Sequence, residues 1–396
     1  MRFVVLANPE NRRCASFLAA VEAAGLPAPR VLAWREHLAQ GPGALAAALD
    51  ACDVLRIESP GEDAEVERAL LARGADQPDP EGLGERLSAR EVAGLALEPG
   101  RVRAGRQWFL GFRAALSELD EVLAGRPALN APRAIVELFD KAASQRSLRE
   151  AGVSVPEALG ASPRSFAELE AALEAAGWSR VYVKPRHGSS ASGVVALARS
   201  RDGRLAATTS AELVRGPEGV ALYNSLQVRR LTARAEVAAL LDVLCAEGVH
   251  VERWIPKASL GGPCDLRVLT VGGAPQHAVV RVGRTTLTNL HLGNARGDLD
   301  ALRARAGEER WGELQALVAQ AAAVYPEALY LGADVALAQG FGRAFVLELN
   351  AFGDLLPRLT WGGRDTYGAV VAAALARWRA GWAGLVAPRG GGRSGG

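Results

Sequence analysis

The sequence predicts an α/β protein that opens with a small parallel α/β domain and continues into a larger region mixing helices with hairpin-type strands. Three observations carry this. Short apolar runs alternate with Ala-rich helical stretches at βαβ spacing over the first seventy residues or so. Beyond residue 126, strand signals come in pairs joined by Gly, Asp and Ser turns. At 396 residues the chain exceeds what one small core organises, which implies two or three domains or subdomains.

Taken in order, residues 3–7 form a buried strand, followed by the turn Asn8-Pro9-Glu10 and a helical stretch to Gly25. Strands at 30–34 and 53–58 follow, the latter running through Ser59-Pro60-Gly61 into a helix over 63–73. Residues 74–100, rich in Gly, Pro and acids, read as an irregular excursion, and a helix over about 107–123 leads to a boundary at Gly125-Arg126-Pro127. Next come one helical stretch at 134–151 closed by Gly152, and a helix over 165–176 with Ser165 as N-cap and Gly177 as stop. Strands are expected at 181–183, 193–198, 205–208 and 222–230, the second and third joined by a hairpin at Arg201-Asp202-Gly203. A helix at 234–246 and a strand at 249–255 follow, and Asp298 falls in a solvated loop. The chain closes with a helix to about Leu385 and a Gly/Arg/Ser tail, 386–396, of disordered composition.

Composition narrows the function classes. A formal net charge of +2 gives no electrostatic reason to expect nucleic acid or an anionic membrane. Cys14, Cys52, Cys245 and Cys264 are widely spaced, without C-x-x-C, and read as reduced thiols of a cytoplasmic protein. The opening lacks a signal-peptide pattern and no stretch of about 20 apolar residues occurs, so neither secretion nor membrane spanning is expected.

Of 46 basic residues only Lys141, Lys184 and Lys257 are lysines. In a chain that writes Arg wherever a positive charge suffices, a surviving Lys marks a place that wants a compact ammonium, such as a phosphate contact. Lys141 stands in Phe139-Asp140-Lys141-Ala142 and Lys184 in Val183-Lys184-Pro185, ahead of the small-residue loop Gly188 to Gly193. That loop joins two strands, so it is a hairpin and not a Walker loop; it can lay backbone N–H groups over phosphates, or be a plain turn. Near the C-terminus stand Asp334 and, on an apolar strand, Glu348-Leu349-Asn350. Residues i and i+2 of a strand share a face, so Glu348 and Asn350 project together and Asp334 can join them from a neighbouring strand. Two carboxylates and an amide oxygen are hard donors suited to Mg²⁺.

Over about 130–360 these parts resemble, in order, the ATP-grasp superfamily, nearest its ribosomal-protein glutamate ligase and glutathione synthetase-like branch. The resemblance rests on Asp140-Lys141, Gly152-Val153-Ser154-Val155-Pro156, Val183-Lys184-Pro185 with the Ser189 to Gly193 loop, Glu252-Arg253-Trp254-Ile255, Asp265-Leu266-Arg267-Val268 with Arg281, Asn289 to Gly293, and the Asp334, Glu348, Asn350 set. It implies a Rossmann-like domain preceding the ATP-grasp unit (1–125) and a two-lobed α+β ATP-grasp domain (126–385, lid about 155–250). It also implies that Lys141, Lys184, Ser189, Ser190 and Gly193 bind ATP phosphates, that Glu252 to Ile255, Trp254 included, form the adenine hinge, and that Asp265 faces the ribose. Asp334, Glu348 and Asn350 would bind Mg²⁺, two ions in all, and Lys257 would be incidental. Gly332 replaces an Arg often found two residues before the metal Asp.

The implied reaction is ATP-dependent ligation of a carboxylate to an amine or thiol through an acyl phosphate, releasing ADP and phosphate, on a small molecule or a peptide. Arg267 and Arg281 would stabilise the transferred phosphoryl group. A kinase acting on a non-carboxylate substrate and a non-catalytic nucleotide-binding module are the alternatives, and a homodimer is left open. By position alone, Asn8, Arg56, Ser59 and Gly61 at the carboxyl ends of the first strands, with Asn289, Arg358 and Arg364, are candidates for the substrate side, and His187 and His291 for proton carriers.

Overall fold

Three parallel strands open the chain in a computed structural model that describes residues 1–188, 192–216, 219–352 and 356–382. They are β1 (Phe3–Ala7), β2 (Arg30–Ala33) and β3 (Val54–Ile57), in the order β2-β1-β3. Helices α1 (Arg12–Ala23), α2 (Trp34–Gln40) and α3 (Gly43–Asp50) connect them, and α4 (Ala64–Ala75) follows β3. Asn11 caps α1 and Asp63 caps α4, each side chain accepting from the first-turn amides. Trp34, expected in the second strand, instead begins α2, its indole N–H donating to the Glu58 carbonyl. The excursion after residue 74 is more ordered than composition suggests: α5 (Ala89–Gly94) starts with a Ser88/Glu91 capping box, and β4 (Arg101–Val102) adds to a different sheet. Helix α6 (Gly105–Leu123) then crosses α4, and Gly111 permits the contact, since a Cβ there would stand 1.9 Å from the Leu70 carbonyl.

The helical stretch expected at 134–151 is two helices, α7 (Pro132–Phe139) and α8 (Lys141–Glu150), broken at Asp140. Asp140 is extended, and its carboxylate accepts from the amides of Ala142 and Ala143, a better use of a buried carboxylate than a mid-helix position offers. Lys141 therefore sits on the first turn of a new helix.

Helix α9 (Phe166–Ala175), capped by Ser165, and α10 (Arg234–Ala246) cover one face of a six-stranded sheet, β4-β8-β7-β6-β5-β9. Its other strands are β5 (Arg180–Pro185), β6 (Val195–Arg199), β7 (Leu205–Gly216), β8 (Gly219–Leu231) and β9 (Val249–Arg253). The β7 arm is twelve residues rather than the expected four, and β9 stops at Arg253 instead of reaching Ile255.

A five-stranded sheet, β12-β11-β10-β13-β14, faces it. It comprises β10 (Cys264–Val271), β11 (Ala274–Val282), β12 (Ala295–Gly297), β13 (Tyr330–Leu337) and β14 (Ala344–Asn350), with α11 (Leu299–Ala306) and α12 (Glu308–Ala323) behind. Asp298, expected in a solvated loop, is exposed but caps α11. The short hairpin β15 (Thr360–Trp361) and β16 (Arg364–Asp365) precedes α13 (Thr366–Arg379), which packs on α1. The last helix thus ends at Arg379, short of the expected Leu385, and the 386–396 tail lies outside the described residues. All four cysteines are unpaired, and among the described residues no helix is long and apolar enough to cross a membrane.

Candidate active site

Alternation sorts both sheets. In the five-stranded sheet, Leu266, Val268, Val280, Ala333, Val335, Val346 and Leu349 are buried in the main core, and the intervening polar residues share the opposite face. In register, Asp265 stands opposite Arg281, Arg267 opposite Asp334, and Asp334 opposite Glu348. The i, i+2 spacing of Asp265 and Arg267 places both on that face. In the six-stranded sheet, Val181, Val183 and Val251 enter a second core while Tyr182, Lys184 and Glu252 point toward the charged row.

The pocket between the two faces is lined by all three lysines of the chain, together with Glu252, Asp265, Arg281, Asn289, Asp334 and Glu348. Tyr182, Val194, Leu287 and Leu347 give it an apolar end. At Asp334, Glu348, Lys141 and Arg281 it opens into a cleft of about 780 Å³. Ser59 and Gly61, at the carboxyl end of β3, line that cleft with Asn11, Arg13 and the β8 residues Asn224 and Leu226. His187 and His291 line it as well.

The charges pair in a chain. Lys257 Nζ donates to Asp265 Oδ2 and Thr288 Oγ1, both at 2.8 Å, and to the Thr286 carbonyl at 3.2 Å. Arg281 Nε donates to Asp265 Oδ1 at 2.7 Å and its Nη1 lies 3.2 Å from Asp334. Arg267 grips both oxygens of Asp334 as a fork, its Nη2 at 3.0 Å from Oδ2. Lys141 approaches Glu348 to 3.3 Å, and Lys184 pairs with the buried Glu252. Burial works to raise the Asp265 and Asp334 carboxyls, but the cations override it: Arg281 and Lys257 hold Asp265 below the ordinary carboxylate range, and Arg267 and Arg281 do so for Asp334. At Glu252 burial wins, and its carboxyl is raised despite Lys184.

Placement corrects several expectations. Lys257 is not incidental: its three acceptors consume all three of its protons. Arg56 does not reach the cleft; it is 1% exposed, paired with Glu58, its guanidinium 4.2 Å from the Phe17 ring and 5.0 Å from that of Tyr330. Asn8 is buried as well, donating to the carbonyls of Pro60 and Gly61, so it shapes the β3 loop from behind. Arg358 and Arg364 are exposed and line neither cavity. Asp265 has both oxygens engaged by Arg281, Lys257 and Thr288, as Asp334 has by Arg267 and Arg281. Of the hinge segment only Glu252 lines the pocket; Trp254 packs on Tyr182 at 5.4 Å, and the amides of Arg253 and Trp254 donate to Glu157 and Arg180 carbonyls. His187 accepts from Arg106 at 3.0 Å, and burial, with Arg106, Arg186 and Lys141, pushes it down to about 3. Gly193 adjoins Pro185, and Ser189 and Ser190 lie outside the described residues.

Sequence reasoning missed Leu347. Between β13 and β14 the register steps from Asp334↔Glu348 to Val335↔Val346, so Leu347 is the extra residue of a β-bulge. The bulge lets Val346 and Leu349 both face the core while Leu347 and Glu348 line the pocket. A strand read without its partner carries no signal for this. Among the described residues no three His, Cys, Asp or Glu side chains converge as a metal cluster. Asp334 and Glu348, with Asn350 two residues on, are hard oxygen donors that fit Mg²⁺ if nucleotide oxygens and water complete the shell.

No protein-family model matches the chain, and no curated protein does. Solved structures match over nearly its whole length. The ATP-grasp ligase PsnB, complexed with a phosphomimetic variant of its minimal precursor, Mg and ADP, aligns at TM-score 0.54 and 17% identity, covering 95% of this chain and 98% of that one. D-cycloserine synthetase DcsG aligns at 0.54 and 14%, covering 95% and 100%. An N5-carboxyaminoimidazole synthase from Aspergillus clavatus, in complex with ADP and 5-aminoimidazole ribonucleotide, aligns at 0.52 and 13%, covering 95% and 76%. With the two facing sheets and the ordered row of charges between them, the fold this chain adopts is the ATP-grasp fold.

Proposed function

We propose that the protein is an ATP-dependent ligase that activates a carboxylate as an acyl phosphate and passes it to an amine-type or thiol nucleophile. The observation that carries this reading is the convergence of three rare lysines with Arg267, Arg281, Asp334 and Glu348 where an apolar-ended pocket meets a wide cleft. The apolar end, with Tyr182, Val194, Leu287 and Leu347, suits a nucleobase; Lys141 and Lys184 suit its phosphates. Four unpaired cysteines fit a reducing cytoplasm.

In the first step a substrate carboxylate oxygen attacks the γ-phosphorus, and the bond to the bridging oxygen breaks with its electron pair leaving on ADP. In the second, the nucleophile attacks the acyl carbon, loses its proton, and expels inorganic phosphate. Arg281 and Arg267, fixed by Asp265 and Asp334, stand at the mouth between pocket and cleft, where they neutralise the incoming carboxylate and the transferred phosphoryl group without reorganising. Asp334, Glu348 and Asn350 would hold Mg²⁺, two ions by the resemblance, and Asn350 Nδ2 donates to the Gly332 carbonyl at 3.4 Å, leaving Oδ1 for a cation. When bound, the metal supplies charge neutralisation at the terminal phosphates. The solved ligase complexes with ADP support the nucleotide assignment. The cleft accommodates a small carboxylate or a peptide segment.

Product analysis over a panel of carboxylates and amines tests the reading. ADP and phosphate are expected, and with the carboxylate present but its nucleophile omitted, hydroxylamine should trap a hydroxamate. AMP as product overturns the mechanism; a stable phosphorylated non-carboxylate product favours a kinase.

A further inference from the structure

Two side chains of α8, one turn apart, touch two consecutive residues of β14. Lys141 lies 3.3 Å from the Glu348 carboxylate, and Gln145 Nε2 donates to the Leu347 carbonyl at 2.8 Å. Positions i and i+4 share one helix face, so a single rigid element contacts both. Leu347 is the extra residue of the bulge, the residue with no partner on β13. Gln145 is 3% exposed, and its Oε1 accepts no hydrogen bond among the described residues. A buried amide left with half its capacity unused is costly, and the bond to Leu347 is what it supplies in return.

We propose that Gln145 is a positioning residue that clamps the β14 bulge and thereby sets where Glu348 is presented to a bound divalent cation. The proposal rests on the reading of Glu348 as a metal ligand. Without the clamp the bulge can relax toward regular pairing, and a one-residue slip turns a strand side chain to the opposite face. Glu348 would then trade its place in the pocket for a position facing the core.

The test uses the full chain saturated with a non-hydrolysable ATP analogue, with Mn²⁺ as the probe and free Mn²⁺ followed by electron paramagnetic resonance. Gln145→Met keeps length and removes the donor; Gln145→Glu is a second variant, also without an N–H, should the first fail to fold. Gln320→Met is the control, since Gln320 makes the same kind of bond to the Ala151 carbonyl at the far end of α8. Removing a partner that orients a metal ligand lowers metal affinity about ten- to a hundredfold. That loss is expected in the Gln145 variants and not in the control, with analogue affinity in the absence of metal unchanged. Loss in Glu348→Gln but not in folded Gln145 variants overturns the clamp alone; no loss in either overturns the clamp and the metal reading together. An equal loss in Gln320→Met also overturns it, because the effect would then be general loosening of α8.

Discussion

Lys141 and Glu348 face each other at 3.3 Å, the first residue of α8 against the third-last residue of β14. On the proposed reading, a cation that would contact phosphate and an anion that would bind metal neutralise one another, and each would be released when its own ligand arrives. Glu348→Gln should therefore raise the Mg²⁺ concentration needed for half-maximal turnover, and Asn350→Ala should do the same. Asp300 is the proper control, being exposed and on the outer side of α11. Asp298 is unsuitable, because its carboxylate caps that helix and its loss costs about 1 kcal/mol for reasons unrelated to metal. A Mg²⁺ titration of ADP release checks this; equal shifts in all three variants would remove Glu348 and Asn350 from the metal set.

The pairing of Lys184 with Glu252 changes what a lysine deletion does. The sequence marks Lys184 only as a phosphate contact. Glu252 is 2% exposed, however, and one of its oxygens has no hydrogen-bond partner among the described residues. Removing the lysine leaves a buried carboxyl without its counter-charge, a change that costs about 3–5 kcal/mol when such pairs are broken. Lys184→Met should lose both stabilisation by ATP and intrinsic stability, and adding Glu252→Gln should restore the second but not the first. Urea melts with and without nucleotide separate the two effects. A single mutant as stable as the parent protein would show that Lys184 carries no structural charge.

The parts of the site that were legible in the sequence are those a strand's two-residue period dictates. Asp265 with Arg267, and Glu348 with Asn350, were bound to share faces once their strands were recognised. Partners distant in sequence were not legible: Lys257 owes its role to Asp265 and Thr288, eight and thirty-one residues away. Arg56 misled because the end of a parallel strand can face the domain core as readily as the cleft, and three aromatic rings chose the core. The break at Asp140 and the bulge at Leu347 depend on amides and a partner strand that a single segment does not reveal. Among the elements, α10 and the N-terminal strands were the clearest, since apolar periodicity alone decides them.

His187 gives a pH dependence whose sign follows from its surroundings. Its ring is edge-on to Phe109 at 3.9 Å, and Arg106 donates to Nε2, which must therefore be unprotonated. Burial, then Arg106 and Arg186, depress the imidazole to about 3 even though Asp140 pulls the other way. In the unfolded chain a histidine titrates near about 6.5. Between these values the unfolded state binds a proton that the folded state refuses, so stability is full above about pH 6.5 and declines as pH falls toward 3. His250, depressed to about 3 by burial and by Lys184 and Lys141, acts in the same direction. His187→Gln keeps an acceptor for Arg106 and has no proton to gain. Its unfolding free energy should fall less steeply than the parent's between pH 6.5 and pH 5, a window above the ordinary carboxylate range and common to both proteins' carboxyls. Denaturant melts at half-unit pH intervals measure the two slopes, and identical slopes would mean that His187 is protonated in the folded protein and that Arg106 is not its hydrogen-bond donor.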